Sequence, residues 1–234
     1  MPYRALLFDH DGVLARPPGL DLLRSAARDA YAAVGVADPD PDDVERIVRG
    51  VTPADVAALA DSHGVDPDAL WAARERTAAE AQVAAIERGD TVAYDDADLL
   101  AAVDGPVGVV STNQRATVEF ACDRFDYGRH VDIVVGGEPT IESLRRTKPA
   151  PHYLERALDE LGAAPESTLF VGDSVSDVRA ARRAGLDSVF LRRPHRADAS
   201  LPVAPTFERA DLDGLRSIPG VPLGGAHRET KYHR

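Results

Sequence analysis

Short apolar runs that alternate with helical patterns constrain the fold of this chain more than any other feature. Beyond residue 95, each apolar run is followed by a segment whose apolar residues recur at three- and four-residue steps. Strands that alternate with helices predict right-handed crossovers and a parallel sheet covered by helices on both faces. The predicted strands are residues 3–8, 107–110, 131–135, 168–171 and 188–191. The predicted fold class is therefore α/β, with a parallel β-sheet core.

Between the first two runs the chain carries only helical signals. Apolar residues from 20 to 48 repeat at helical spacing. Thr52, followed by Pro53, is a predicted N-cap of a third helix, and the Ala-rich residues 67–87 form a fourth. This block predicts a small all-helical domain inserted into the core. The predicted division is 1–15 and 92–219 for the α/β core, 16–91 for the helical insertion, and 220–234 for a flexible tail rich in Gly, Pro and charge.

Length and hydropathy predict a cytoplasmic protein without a membrane partner. The 234 residues suffice for a core domain and a smaller one, and no stretch approaches the roughly 18 consecutive apolar residues of a membrane span. The N-terminus passes from one short apolar run into acidic residues, without the apolar segment and cleavage site of a signal peptide. Because Cys122 is the one cysteine, an internal disulfide and a Cys-rich metal site are excluded.

The charged residues are unusual in kind and in balance. The chain holds 39 acidic residues, most of them Asp, and 27 basic residues, of which only Lys148 and Lys231 are Lys, so its net charge is −12. This acidic field disfavours duplex DNA and anionic lipid, and predicts no nucleic-acid partner. An Asp-rich, Lys-poor composition is also typical of halophilic proteins, where salt screens acid–acid repulsion. A GC-rich genome, which favours Arg and Ala codons, is the alternative explanation.

Polar side chains follow the predicted strands at the points where the strands end. They are Asp9 and Asp11 after the first run, Ser111 and Asn113 after the second, and Asp173 and Asp177 after the fourth. Lys148 opens the helix that precedes the fourth run. The carboxyl ends of parallel strands meet at one edge of a sheet, where ligands bind. Carboxylates, a hydroxyl, an amide and a lysine are the groups that a metal-assisted phosphoryl transfer requires.

Taken singly, each of these groups has a purely structural explanation. An Asp-x-Asp-Gly sequence after a strand is often only a turn, and Ser111 or Asn113 could cap the helix that follows. Lys148 could be a solvated helix start, and Asp177 could be a first-turn acid favoured by the helix dipole. His10 lies between the two aspartates, and alternation along an extended segment predicts that it points away from both.

Four segments resemble, in order and spacing, the four motifs of the haloacid dehalogenase-like (HAD) hydrolase superfamily. They are Asp9-His10-Asp11-Gly12-Val13-Leu14, Val109-Val110-Ser111-Thr112-Asn113, Lys148-Pro149-Ala150-Pro151 and Val171-Gly172-Asp173-Ser174-Val175-Ser176-Asp177. The resemblance covers about residues 3–192 and implies a Rossmann-like core. The helical block lies where this superfamily carries its C1-type cap domain.

The resemblance also implies a role for each residue. Asp9 would be the nucleophile that forms an aspartyl-phosphate, and Asp11 the general acid and base. The carboxylates of Asp9 and Asp173, with the main-chain carbonyl of Asp11, would bind Mg²⁺. Ser111 and Lys148 would bind the phosphoryl oxygens. Asn113 would help to orient those oxygens, and Asp177 would position Lys148 or a metal-bound water.

The function that the resemblance implies is a Mg²⁺-dependent phosphatase for a small phosphorylated metabolite, most similar to the phosphoglycolate phosphatase branch. Dehalogenation is disfavoured because halide-displacing members lack the acid that Asp11 provides. A phosphosugar mutase similar to β-phosphoglucomutase, or a non-catalytic HAD-fold binding protein, stays open as an alternative. Arg49 and Gly50, between two predicted cap helices, are candidate substrate contacts, although Arg49 could equally form a surface ion pair. The sequence leaves monomer and homodimer open.

Overall fold

A six-stranded sheet forms the centre of the α/β part of the chain. The computed structural model describes residues 2–224. Its strands are β1 (Ala5–Phe8), β2 (Val107–Gln114), β3 (Ile133–Gly137), β4 (Thr168–Gly172), β5 (Asp187–Leu191) and β6 (Phe207–Arg209). They lie in the order β3-β2-β1-β4-β5-β6, and β1 pairs in parallel with both β2 and β4. The pairs β4–β5 and β5–β6 are also parallel, so the predicted α/β fold class is confirmed.

Seven α-helices lie within residues 2–224. They are α1 (Leu20–Ala33), α2 (Pro41–Val48), α3 (Pro53–Ser62), α4 (Pro67–Arg88), α5 (Arg115–Arg124), α6 (His152–Leu161) and α7 (Val175–Ala184). Short 3-10 helices occur at 95–102, 126–130, 141–146, 165–167, 194–196 and 213–217. No helix in this part of the chain is long and apolar enough to cross a bilayer.

Successive residues of the central strand β1 pack on opposite faces of the sheet. Leu6 and Phe8 belong to a buried cluster that includes Cys122 of α5, whereas Leu7 belongs to a second cluster formed with α6 and α7. All three β1 residues are fully buried. This is the pattern of a central parallel strand with helices on both faces, and each such side chain contributes about 2 kcal/mol through burial.

The chain divides into two compact units. Within residues 2–224, the α/β unit comprises 2–16, 92–136 and 147–224, and the helical unit comprises 17–91 and 137–146. The sequence division placed 137–146 in the core, whereas the structure groups this segment with the helices. The physical reason is that Ile141 and Leu144 pack against the apolar cluster of the helical unit.

The helical unit begins three of its helices in the same way. Asp40, Thr52 and Asp66 are N-caps whose side chains accept a hydrogen bond from the first turn, and each is followed by proline. The N-cap predicted at Thr52 is therefore confirmed. The unit buries its own apolar cluster, which includes Tyr31, Ile47, Leu59, Leu70 and Trp71.

Two features of the α/β unit differ from the sequence prediction. Strand β6 was not predicted, because its three residues, Phe207-Glu208-Arg209, include two charged side chains and form an edge that pairs only with β5. Residues 220–224 were predicted to belong to a flexible tail, yet they are tied to the unit by backbone hydrogen bonds. Tyr3 N donates to Gly220 O at 2.7 Å, and Asp104 N donates to Pro222 O at 2.7 Å. The rest of the predicted tail lies outside the described residues.

Candidate active site

Three buried carboxylates meet at the carboxyl ends of two neighbouring strands. Asp9 follows β1, Asp173 follows β4, and Asp177 lies in the first turn of α7. One oxygen of each carboxylate lies within 4.8 Å of the others. The parallel pairing of β1 with β4 explains this meeting, because it brings both strand ends to the same edge of the sheet.

Lys148 is the cation at the centre of this cluster. Its ammonium group lies 2.8 Å from Asp9 Oδ1 and 2.7 Å from Asp177 Oδ1, and it donates to the backbone oxygen of Val110 at 3.2 Å. The side chain is 2% exposed. Burial alone would lower the pKa of Lys148, but the carboxylates of Asp177 and Asp9 raise it above its ordinary value. These contacts favour the protonated, positively charged form of Lys148.

The ionised form of Asp9 is disfavoured even though Lys148 lies beside it. Burial raises its pKa well above the usual range, Lys148 opposes that rise, and the charges of Asp177 and Asp173 add to it. A further cation beside Asp9 and Asp173 would offset this repulsion. The donors present are hard carboxylate oxygens, the ligands that Mg²⁺ and Ca²⁺ prefer, so the residues fit a divalent cation of this kind.

Asp177 uses its two oxygens for two different purposes. One accepts hydrogen bonds from Ser174 Oγ at 2.6 Å, Ser174 N at 3.0 Å and Asp173 N at 3.2 Å, which completes a capping box at the start of α7. The other lies against Lys148. Asp177 is thus a first-turn acid of α7, as its structural explanation expected, and its other oxygen is free to lie beside Lys148.

Asp11 is held by hydrogen bonds on both of its oxygens. His10 Nδ1 lies 3.0 Å from Oδ1, and Asn113 Nδ2 donates to Oδ2 at 2.9 Å. Burial alone would raise the pKa of Asp11, but the contacts with His10 and Asn113 hold it below its ordinary value. The structure therefore brings Asp11 and Asn113 together, as expected for residues that follow the first two predicted strands. Asn113 itself lies within β2, which is longer than the predicted strand.

The predicted orientation of His10 is wrong. The prediction assumed an extended backbone, but the chain turns sharply after Asp9. The backbone oxygen of His10 accepts hydrogen bonds from Val13, Leu14 and Ala15, and Gly12 adopts φ +87°. Strand alternation ends at this turn, so the imidazole comes back to Asp11 on one side and reaches Tyr127 Oη, at 2.8 Å, on the other.

Ser111 and Asn113 do not cap the helix that follows them. The N-cap of α5 is Gln114, which makes no side-chain capping bond. Ser111 Oγ instead accepts from Asn113 N at 3.1 Å, within the end of β2. Ser111 is buried next to Val110, whose backbone oxygen accepts a hydrogen bond from Lys148. The capping alternative is thereby removed, and both side chains stay at the edge of the sheet.

Two residues that were not predicted from the sequence also contact Asp173. His195 Nε2 lies 2.7 Å and Arg196 Nε lies 3.2 Å from Asp173 Oδ2. Both lie in the short helix after β5, and the same strand-end rule could have found them. Gly12 makes room for this contact, because a Cβ there would lie 2.2 Å from Asp173 Oδ2 and 3.0 Å from His195 Nε2.

Arg193, also after β5, fixes the turn that carries the two aspartates. It forms a bidentate ion pair with Asp96, at 2.8 and 2.9 Å, and donates to the backbone oxygen of Val13 at 2.6 Å. Its guanidinium group lies 3.8 Å from the centre of the Tyr94 ring. The turn after β1 is thus anchored to the loop after β5.

The candidate substrate contacts Arg49 and Gly50 lie at the end of α2 in the helical unit. Arg49 is paired with Glu45 on its own helix, and Glu45 is also bound by Arg24 at 2.8 Å. Gly50 has a φ of +102°, which a residue with a side chain rarely adopts. The ion pair predicted as the alternative for Arg49 is therefore present in the structure.

Curated relatives of this chain are phosphatases. A segment of 104 residues is 35% identical to pyrophosphatase PpaX of Bacillus mycoides, covering 44% of this chain and 46% of that protein. A segment of 98 residues is 34% identical to phosphoglycolate phosphatase of Escherichia coli, covering 41% of this chain and 37% of that protein. The matched segments thus span less than half the length of these two relatives.

Similarity to solved structures extends over almost the whole chain. The structure of CbbY from Rhodobacter sphaeroides in complex with phosphate covers 94% of this chain and 100% of that one, with a TM-score of 0.71 and 24% identity. At this identity the match supports the fold. The family model of the haloacid dehalogenase-like hydrolases matches residues 3–185, a span that contains all four strand-end motifs. The chain therefore belongs to the haloacid dehalogenase-like hydrolase family.

Proposed function

We propose that this protein is a Mg²⁺-dependent phosphatase that hydrolyses a small phosphorylated metabolite through an aspartyl-phosphate on Asp9. The observation that carries the proposal is the buried Lys148 ammonium group, 2.8 Å from Asp9 and 2.7 Å from Asp177. It favours the ionised, nucleophilic form of Asp9 and supplies positive charge for phosphoryl oxygens. Family membership and the similarity to phosphoglycolate phosphatase support the same reaction.

The first step transfers the phosphoryl group to the protein. The negative charge of the bound phosphate favours the protonated form of Asp11, against the contacts with His10 and Asn113 that lower its pKa in the free protein. A carboxylate oxygen of Asp9 then attacks phosphorus, the bond between phosphorus and the leaving oxygen breaks, and Asp11 gives its proton to that oxygen. The products are the free alcohol and an aspartyl-phosphate. Lys148 and Ser111 hold the phosphoryl oxygens in this step, and Asn113 helps to orient them.

The second step returns the protein to its starting state. Asp11, now a carboxylate, takes a proton from water while the water oxygen attacks phosphorus. The bond between phosphorus and Asp9 breaks, and inorganic phosphate leaves. The sum of both steps consumes one water for each ester bond broken, and Asp11 regains the proton that it donated.

The metal site proposed for Mg²⁺ is formed by the carboxylates of Asp9 and Asp173 and the main-chain carbonyl of Asp11. A divalent cation there would supply charge that offsets the repulsion between the Asp9 carboxylate and an anionic phosphate. Asp177 is already committed to Lys148 and to the N-terminus of α7, so its role is to position Lys148.

The remaining parts of the proposal concern selectivity and setting. The helical unit serves as the C1-type cap that selects the leaving group, with Arg49 and Gly50 as substrate contacts. The protein works in the cytoplasm, and its net charge of −12 suits high salt.

The test is phosphate release in buffered KCl with Mg²⁺, with EDTA and Asp9→Asn as controls. The substrates are p-nitrophenyl phosphate, pyrophosphate, 2-phosphoglycolate and β-glucose 1-phosphate. Turnover of one metabolite that both controls abolish would support the proposal. Isomerisation of the sugar phosphate without phosphate release would favour the mutase alternative. Binding without turnover of any substrate would favour a non-catalytic role.

A further inference from the structure

A buried histidine joins the proposed acid/base to a buried tyrosine. His10 is 3% exposed, and each of its ring nitrogens has one polar partner. Nδ1 lies 3.0 Å from Asp11 Oδ1, and Nε2 lies 2.8 Å from Tyr127 Oη. Tyr127 is 2% exposed and belongs to the large apolar cluster on the α5 face of the sheet. The reaction steps described above use neither residue.

The carboxylate of Asp11 sets the direction of these two hydrogen bonds. An ionised carboxylate can only accept, so the proton between Asp11 Oδ1 and His10 Nδ1 belongs to Nδ1. In a neutral imidazole Nε2 is then the acceptor, and the Tyr127 hydroxyl donates to it. Burial raises the pKa of the Tyr127 phenol, which keeps the proton that this bond needs. Every donor in the chain from Tyr127 through His10 therefore points toward the carboxyl group of Asp11.

Asp11 is consequently oriented from two sides. His10 Nδ1 donates to Asp11 Oδ1, and the side-chain amide of Asn113 donates to Asp11 Oδ2 at 2.9 Å. A carboxylate oxygen has two lone pairs, so each oxygen can still take the catalytic proton while it accepts one hydrogen bond. Two donors on different oxygens fix the plane of the carboxyl group, which a single contact would not.

We propose that Tyr127 and His10 are positioning residues that hold the Asp11 carboxyl group in the orientation from which it exchanges a proton with the leaving oxygen. The inference rests on the proposed phosphatase function. Burying an imidazole and a phenol is costly unless both are hydrogen-bonded, and an apolar pair would fill the same space without that cost. Here the two hydrogen bonds lead from Tyr127 through His10 to Asp11, the carboxyl group whose orientation the reaction depends on.

The kinetic test uses leaving groups that differ in their need for a proton. An alkyl phosphate must have its leaving oxygen protonated, whereas p-nitrophenolate leaves without help. The value of kcat/KM reports the steps up to release of the alcohol. We expect His10→Leu to lower kcat/KM for an alkyl phosphate at least about tenfold more than for p-nitrophenyl phosphate, since a well-placed acid is worth about 10²–10⁴ in rate.

Two further variants and one control sharpen this test. Tyr127→Phe should give a smaller loss with the same selectivity. His10→Asn, which keeps an N–H donor near the position of Nδ1, should recover part of the alkyl phosphate activity. The matched control is Tyr31→Phe, because Tyr31 is a fully buried tyrosine of the helical unit whose hydroxyl has no hydrogen-bond partner among residues 2–224. It should leave both substrates unaffected.

Equal losses on both substrates, or no loss, would overturn the inference, because a merely structural role lowers all activities together. A wild-type protein that turns over neither substrate would count against the phosphatase proposal instead. The tautomer gives a readout that needs no turnover. Nitrogen-15 resonances of His10 should show a protonated Nδ1 and a bare Nε2 in the wild type, and Tyr127→Phe should shift them. A proton on Nε2 in the wild type would contradict the positioning chain.

Discussion

Buried charges of both signs lie within hydrogen-bond distance of one another around Lys148. Asp9 and Asp177 share this one ammonium group, and its removal would leave two buried carboxylates without a counter-charge. Breaking a buried ion pair from one side costs more than replacing the whole pair. The residue that binds substrate in the proposed mechanism is therefore also important for folding.

We predict that Lys148→Met abolishes turnover and lowers the free energy of unfolding by about 3 kcal/mol, the usual cost of an orphaned buried charge. Urea denaturation without added metal measures the loss. The double variant Lys148→Met, Asp177→Asn should be more stable than the single variant, because it removes one of the two orphaned charges. A single variant as stable as the wild type would contradict the ion-pair account.

Gly12 gives a second prediction for a single residue. A Cβ at this position would meet Asp173 Oδ2 at 2.2 Å, and its φ of +87° adds backbone strain. Gly35 has nearly the same φ, +89°, with nothing within 4 Å of its Cβ position, so Gly35→Ala is a matched control. Backbone strain should cost each variant about 1 kcal/mol of stability, and the clash with Asp173 should make the loss larger in Gly12→Ala. Only Gly12→Ala should also weaken Mg²⁺ binding, which titration calorimetry would measure. Equal Mg²⁺ affinities in the two variants would contradict the close approach of Gly12 to the Asp173 carboxylate.

At the scale of elements, the start of α3 shows how a helix of the helical unit is defined locally. Thr52 Oγ1 accepts a hydrogen bond from Asp55 N at 3.2 Å, and Asp55 Oδ2 accepts from Thr52 N at 2.9 Å. Asp55 also meets Arg46 at 2.6 Å, which links α3 to α2. These contacts hold the pKa of Asp55 at about 2, with the hydrogen bond from the Thr52 side chain as the largest cause.

We predict that Thr52→Ala destabilises the protein by about 1 kcal/mol, because the first turn of α3 loses its N-cap. Thr52→Ser keeps the hydroxyl and should lose much less. The midpoint of urea denaturation measures both variants. An alanine variant with the stability of the serine variant would show that the capping box contributes nothing measurable.

The elements also show what the sequence could and could not predict. Asp9, Ser111 and Asp173 directly follow or end apolar runs, so the parallel-sheet rule alone brought them to one edge. His10 escaped prediction because its side-chain direction depends on a turn, not on the strand before it. Tyr127 lies in a short helix whose contact with His10 depends on tertiary packing, which no local pattern encodes. His195 lies just after β5, where the strand-end rule could have found it. β6 was not predicted either, because it is a short edge strand with two charged residues and lacks an apolar run.

At the scale of the whole molecule, the net charge of −12 governs how stability responds to salt. We predict that the melting temperature rises as KCl is increased, because the Debye length falls from about 10 Å at 0.1 M to about 3 Å at 1 M and screens the excess of acidic groups. Sucrose, which does not screen charge, is the control for general solute effects. A melting temperature that KCl lowers or leaves unchanged would contradict the halophilic interpretation of the composition.

The central claim is that Asp9 carries the phosphoryl group during turnover. The most direct measurement is an acid quench of the protein during turnover of p-nitrophenyl phosphate, followed by peptide mapping by mass spectrometry. We predict one phosphoryl group on the peptide that contains Asp9, more of it in Asp11→Asn, which lacks the base for the second step, and none in Asp9→Asn. Rapid turnover with no phosphorylated peptide, or with the phosphoryl group on another residue, would contradict the mechanism.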